Sequence, residues 1–580
     1  MISLSYPAVT GSHPFLIHRG ASVSAPPSPP AGPTNVDSRI EQLRSRFCDP
    51  DAEVAALLCD DHPADGVALT TVDPNGRSTD LTYGQVRERS IRCARALEGL
   101  GVGRGDRVAS LMDKSPDLVV LMVAVWRLGA VYVPLFTAFA PQAIALRLEG
   151  SDVRVIVVDP RQRTKLVPGD DLPDDPDRRI VVTGDEPPAH DDDLLLTRLE
   201  ARASSEPLPR VAVGGSGALV HMFTSGTTGK PKGVVHPVAY LAGWQGYLEF
   251  GLGVTAESVY WCAADPGWAY GLYSAIAAPL AAGRSTLLVS GGFSVERTWR
   301  VLAEHQVTDF TAAPTVYRGL RSSSVPVPGG LALQRLSSAG EPLTPEVNEW
   351  AEAALGLPVH DHFGQTEVGM VLANCHHPAL ARLIKPGSMG RAIPGWQLTV
   401  LAEDDDAPAA AGALGRVAVD VAASPMMTFT EYQTTGQAAS KFTADRRWYL
   451  TGDSSRVDDE GYFFFSSRDD DVIIMAGYRI GPFEIESVLA QHPAVVECVV
   501  VAAPDEVRGE VIEAHVVLRD DTPGTPELVT ELQQLVKTRY AAHAYPRAVH
   551  FHDRLPKTPS GKLQRYLLRD RARPSTAASS

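Results

Sequence analysis

Along most of the chain, short apolar runs alternate with longer segments of helical period. RVIVVD (154–159) and STLLVS (285–290) are brief and rich in aliphatic residues, and read as strands. YGQVRERSIRCARALEGLG (83–101) and TPEVNEWAEAALG (344–356) space their apolar positions as helices do. This alternation predicts an α/β architecture of layered sheets and helices. The most apolar stretch, LVVLMVAVWRLGAVYVPL (118–135), is broken by Arg127 and ends in proline, so it predicts a helix followed by a buried strand and no membrane span. Beyond residue 470 the pattern tightens into a helix (PFEIESVLAQHP), a strand (VVECVVVAAP), a further apolar run (EVIEAHVVLRD) and a helix (PELVTELQQLVKTRY). That order predicts a small α+β domain of about 100 residues behind a much larger α/β one.

The ends differ in character. Residues 1–36 include SAPPSPPAGPT and read as a disordered leader, and residues 571–580 read as a frayed tail. Acidic clusters at 170–177, 191–193 and 403–406 read as solvated loops. The net charge of −16 disfavours nucleic acid as a partner, so an anionic substrate has to be drawn in by local donors. The six cysteines are scattered without C-x-x-C pairing, and no secretory signal opens the chain; both fit a reduced, cytoplasmic setting.

The first candidate for chemistry is TSGTTGKPKGVVH (224–236). Gly226, Gly229 and Gly233 let backbone N–H groups turn toward a ligand, because no Cβ blocks the approach. Thr224, Ser225, Thr227 and Thr228 add hydroxyl donors, and Lys230 and Lys232 add positive charge. The loop is not a Walker A motif: only two residues separate Gly226 from Gly229, and Pro231 stands where a Ser or Thr should follow the lysine.

Six further stretches share this character: SAGEPL (338–343), DHFGQTEVG (361–369), GSMGR (387–391), WYLTGD (448–453), SRDDDVIIMAGYRIGPFEIE (467–486) and PKTPSGKLQR (556–565). In this order they resemble the acyl-CoA synthetase branch of the adenylate-forming enzymes, over roughly residues 40–568. The resemblance implies a two-step reaction. A carboxylate attacks the α-phosphate of Mg-ATP to give an acyl-adenylate and pyrophosphate, and a thiol, normally that of CoA, then displaces AMP.

Residue roles follow from the same resemblance. Thr224–Lys232 would wrap the phosphates that leave as pyrophosphate, with Thr227 among the catalytic groups. Gly340, Glu341, Pro342 and the run Asp361, His362, Phe363, Gly364, Gln365, Thr366 would lie against adenine and the α-phosphate. Glu367 would be the magnesium ligand, because Mg²⁺ takes few carboxylates and keeps water and phosphate oxygens. Asp453 would anchor the ribose hydroxyls beside Arg468, although Ser467 replaces the usual glycine before that arginine. Lys562 would bridge the substrate carboxylate and the α-phosphate, while Gly477, Tyr478 and Arg479 would face CoA. The two half-reactions imply an adenylation domain over 37–469 and a mobile domain over 470–570 that rotates about Asp470.

WCAADPGWAYG (261–271) resembles acetyl- and medium-chain acyl-CoA synthetases. Acetate-specific members close the pocket with a tryptophan just before the glutamine of the Q-T-E motif; here that residue is Gly364. Trp268, Ala269, Tyr270 and Ala339 match the other pocket walls. Each methylene accommodated contributes about 0.8 kcal/mol, so an aliphatic acid longer than acetate is expected, with an aryl acid close behind. A carrier-protein thiol is the alternative acceptor, and a nucleotide-binding sensor without turnover or a luciferase-like oxidation the alternative outcomes. His360, His362, Cys375, His376 and His377 form the only cluster of potential soft-metal ligands in the sequence and the candidate zinc site. Against it stand the ATP segment that His360 and His362 flank and the adjacency of His376 and His377, which keeps both from pointing inward.

Overall fold

The computed structural model describes residues 36–188, 190–204, 206, 208–224, 231–433, 441–469, 471–475, 478–505, 509–520, 522–541, 543–557 and 563–572, and the strand counts below refer to these residues. The predicted alternation builds two sheets that are largely parallel. In a seven-stranded sheet, Val153–Val158, Arg107–Leu111, Val131–Pro134 and Ala218–Thr224 are successive parallel neighbours, and Lys232–Pro237 closes the edge antiparallel. In a nine-stranded sheet, Thr286–Val289, Tyr260–Cys262, Asp309–Ala312, Arg335–Ala339 and Val359–Gln365 run parallel, and Gly369–Ala373 returns antiparallel.

The helices begin where side chains can satisfy free backbone donors. Thr82 and Gln85 form a reciprocal capping box at the start of Tyr83–Glu98. Ser115 Oγ accepts from the Leu118 amide at 3.2 Å to open Pro116–Arg127, which the chain follows with the buried strand Val131–Pro134. Arg127, the charge inside that apolar run, is buried because Asp60 receives its guanidinium and Ser90 Oγ accepts from Nε at 2.8 Å. An unpaired cation there would be untenable.

A four-stranded antiparallel sheet follows, with Leu398–Leu401, Leu414–Asp420, Trp448–Val457 and Phe463–Arg468 in order. The small C-terminal domain has its own core, in which Ile485, Leu489, Val500, Ile512, Val516 and Leu532 pack between a five-stranded sheet and the helices Pro482–Leu489 and Pro526–Arg539. A large N-terminal domain and a small C-terminal one thus make up the described fold.

Three expectations shift. Val36 belongs to the helix Val36–Phe47, and residues 571–572 to the helix Arg565–Ala572; the rest of the expected leader and tail lie outside the described residues. Asp193 is no solvated loop residue: it is buried and takes two hydrogen bonds from Arg163, at 2.7 and 2.8 Å. Among the described residues no helix is long and apolar enough to cross a membrane, and all six cysteines are free thiols.

Candidate active site

The carboxyl ends of parallel strands are where an α/β sheet presents loops to a ligand. Three such ends converge here. Arg335–Ala339 delivers Gly340, Glu341 and Pro342; Val359–Gln365 delivers Thr366 and Glu367; Ala218–Thr224 delivers Thr224. All of these residues line one cavity of about 450 Å³, to which the four-stranded sheet adds Asp453 and Arg468. Glu367 and Asp453 therefore share a cleft, although they are remote in sequence.

The geometry around Asp453 is closed by hydrogen bonds. Asp453 and Arg468 are paired in register across Trp448–Val457 and Phe463–Arg468, and Arg468 Nη1 donates to Asp453 Oδ1 at 3.0 Å. Gln365 Nε2 donates to Asp453 Oδ2 at 2.6 Å and to the Thr451 carbonyl at 2.9 Å, while Tyr449 donates its hydroxyl proton to Gln365 Oε1 at 2.9 Å. Burial raises the pKa of Asp453 above the usual carboxylate range, and Arg468 and Lys441 pull it back down. Ser467 is buried in the strand Phe463–Arg468, opposite Ser454 and beside a bulge in the ladder, and Arg468 stays on its partner without the usual glycine before it.

Glu367 sits in the tight turn between Val359–Gln365 and Gly369–Ala373. Its Oε1 accepts from the Tyr432 hydroxyl at 2.6 Å. The turn is pinned from behind: the Thr366 carbonyl accepts from His236 Nε2 at 2.7 Å and from the Tyr240 hydroxyl at 2.8 Å. His236 lies on the strand Lys232–Pro237, so that strand braces the Glu367 turn. Burial lowers the His236 pKa to about 3, which keeps the ring neutral.

Ser225, Gly226, Thr227, Thr228, Gly229, Lys230, Asp470, Gly477 and Lys562 lie outside the described residues. The side chains of Tyr478 and Arg479, on the strand Tyr478–Ile480, are likewise outside them. Lys232 is described: it lines the cavity with Nζ 5.2 Å from the Tyr432 ring centroid.

Residues 58–427 match the family described as AMP-binding enzyme, and residues 484–562 match the AMP-binding enzyme C-terminal domain. The acetyl-coenzyme A synthetase of Bacillus subtilis is 35% identical over 85% of this chain and 85% of its own length. The chain belongs to the AMP-binding enzyme family, in its acyl-CoA synthetase branch. A mitochondrial acyl-coenzyme A synthetase of Mus musculus is 33% identical over 87% of this chain and 86% of its own. Among solved structures, an acyl-CoA synthetase of Brucella canis is 37% identical with a TM-score of 0.71, covering 93% of this chain and 98% of its own. A benzoate CoA ligase of Burkholderia xenovorans is 28% identical with a TM-score of 0.77, covering 89% and 100%.

Of the residues expected around the acyl group in this AMP-binding enzyme, Trp268 and Gly364 line the cavity, as does Phe363, whereas Ala269, Tyr270 and Ala339 are not among its lining residues. Tyr270 is tethered instead. Its hydroxyl meets that of Tyr247 at 2.8 Å, and Tyr247 meets His362 Nδ1 at 2.8 Å. Gly364 has a packing reason of its own: a Cβ there would come within 2.3 Å of the Gly369 carbonyl oxygen. Its lack of a side chain follows from the close approach of the returning strand, whatever acid is bound.

Two residues of this AMP-binding enzyme's cavity carry no sequence signal. Tyr432 and Lys441 lie outside every motif, yet both line the cavity. Lys441 Nζ donates to the Thr451 carbonyl at 3.0 Å, and burial, then Arg468, lowers its pKa. The histidine group does not converge as a metal site. His360 and His376 stack at 3.5 Å between ring centroids, and His360 Nδ1 and His362 Nε2 both face the Asn374 carbonyl.

Proposed function

We propose that this enzyme acts on a short- to medium-chain aliphatic acid, about four to ten carbons and so longer than acetate. A substrate carboxylate oxygen attacks the α-phosphorus of ATP, and the bond to pyrophosphate breaks. The CoA sulfur then attacks the acyl carbon, the bond to AMP breaks, and the thiol proton leaves to solvent. The observation that carries this reading is a single cavity lined both by Asp453, Arg468 and Glu367 and by Trp268, Phe363 and Gly364.

Asp453 offers a buried acceptor for the ribose hydroxyls, held by Arg468 and Gln365. Glu367 suits magnesium: it is one buried carboxylate with a single oxygen engaged by Tyr432, and Mg²⁺ otherwise prefers phosphate and water oxygens. Bound with ATP, the ion neutralises phosphate charge. Thr224–Lys232 takes the leaving pyrophosphate, Lys562 approaches for adenylation, and Gly477–Arg479 meets CoA after rotation about Asp470, between domains 37–469 and 470–570. The six free thiols are compatible with a cytoplasmic setting.

An aryl acid is the second reading, favoured by the rings of Trp268 and Phe363 on the cavity wall. ATP–pyrophosphate exchange over linear, branched, aromatic and amino acids, followed by addition of CoA or a phosphopantetheine-bearing carrier, tests both. Exchange greatest with four- to ten-carbon aliphatic acids and AMP release on CoA addition is the expected result. Preference for acetate or benzoate overturns the chain-length reading, AMP release only with the carrier overturns CoA as acceptor, and no acid-dependent exchange at all overturns the activity.

A further inference from the structure

Strands alternate their side chains, so residues two apart share a face. Gly509–Leu518 carries Glu513 and His515 in this relation, and its parallel neighbour Ala548–Phe551, with the residue after it, carries His550 and His552. His515 and His550 are Cα partners across the two strands. The four side chains therefore collect on one face of the C-terminal sheet, opposite the core that Ile512, Ala514 and Val516 face.

The contacts are close. His550 Nε2 lies 3.1 Å from Glu513 Oε2, and His515 Nδ1 lies 2.9 Å from His552 Nε2. One ligand atom each from Glu513, His515 and His550 falls within 4.8 Å of the other two. Two ligands of a tetrahedral zinc, each about 2.0–2.1 Å from the ion, stand roughly 3.4 Å apart, so small side-chain rotations suffice. His550 and Glu513 reach solvent and are free to make them, while His515 is buried and fixed by its strand.

We propose that Glu513, His515 and His550, with His552 as a fourth donor, form a binding site for a borderline divalent ion of the zinc class. Imidazole nitrogens with one carboxylate are the donors such an ion takes, whereas magnesium prefers oxygen, so this site is separate from the one at Glu367. A bound ion clamps the two strands together. It acts ten residues before Lys562 in the chain, and by mass action it stabilises the domain that carries that lysine.

The test uses tag-free, chelator-stripped full-length protein, dialysed against Zn²⁺ with Mg²⁺ in excess and analysed for bound metal. One zinc per chain is expected, with a rise in thermal midpoint and, on cobalt substitution, the intense visible bands of a tetrahedral ion. His550→Ala and Glu513→Gln, both at solvent-reaching positions, should weaken uptake at least tenfold, while Glu367→Gln keeps it. Less than a tenth of an equivalent bound, undiminished uptake in both His550→Ala and Glu513→Gln, or loss of uptake in Glu367→Gln overturns the site.

Discussion

Gln365 reaches from the nine-stranded sheet to the four-stranded one and donates to Asp453 at 2.6 Å. This bond joins two units that fold on separate strand orders, and it closes one side of the cavity. Leaving a buried carboxylate without one of its donors typically costs about 1.5–3 kcal/mol. Gln365→Ala should therefore lower kcat/KM for ATP by about 10- to 100-fold, with the KM for the acid changed much less. Pyrophosphate release at varied ATP measures it. An unchanged ATP dependence would show that the bond is incidental.

Tyr432 gives Glu367 its one side-chain hydrogen bond in the described structure, at 2.6 Å. Tyr432→Phe keeps the ring and deletes that donor. The magnesium concentration needed for half-maximal exchange should shift by about tenfold, the order expected for a hydrogen bond to a charged group. Titration of Mg²⁺ at saturating ATP reads the shift directly, and an identical titration curve would detach Tyr432 from the metal site.

Lys441 points its ammonium at the Thr451 carbonyl, close to Arg468 and Asp453. A half-hidden cation beside the expected ribose site serves a nucleotide better than it serves stability. Lys441→Met should reduce kcat/KM for ATP by about 10- to 100-fold while changing the thermal midpoint by only a few degrees. Loss of stability with retained ATP affinity would make the lysine a structural residue.

His360, His362 and His376 are held neutral by burial, with pKa values of about 4 for His360 and about 3 for His362 and a still stronger depression for His376. In the unfolded chain each binds a proton below about pH 6.5. The unfolded state then carries more protons, so stability is lost as pH falls through that value, by about 1.4 kcal/mol per pH unit for each ring. His376→Gln removes one such group. Denaturant unfolding at pH 7.5 and 5.5 should show a pH penalty about 1 kcal/mol smaller for the variant than for the wild type. Equal penalties would mean that the ring is protonated in the folded state.

The motifs point to residues that the fold gathers around one cavity. Asp453, Gln365 and Glu367 lie in short stretches whose residue types are set by what they must hold, and the cavity gathers them. Packing around the expected acyl wall is not legible in the same way, because the Tyr270–Tyr247 hydroxyl contact and the approach of Gly369 to Gly364 depend on segments that meet only in three dimensions.

Taken alone, the order of apolar runs determined the layered α/β plan, the small final domain and the family's motif series, since local period and turn chemistry act within a few residues. Only the tertiary structure decided that Lys441 and Tyr432 enter the site, that Asp193 is buried against Arg163, and that Glu513, His515 and His550 share one sheet face. Those outcomes hinge on which strands become neighbours, and strand pairing is settled by burial over long separations rather than by any residue's immediate sequence.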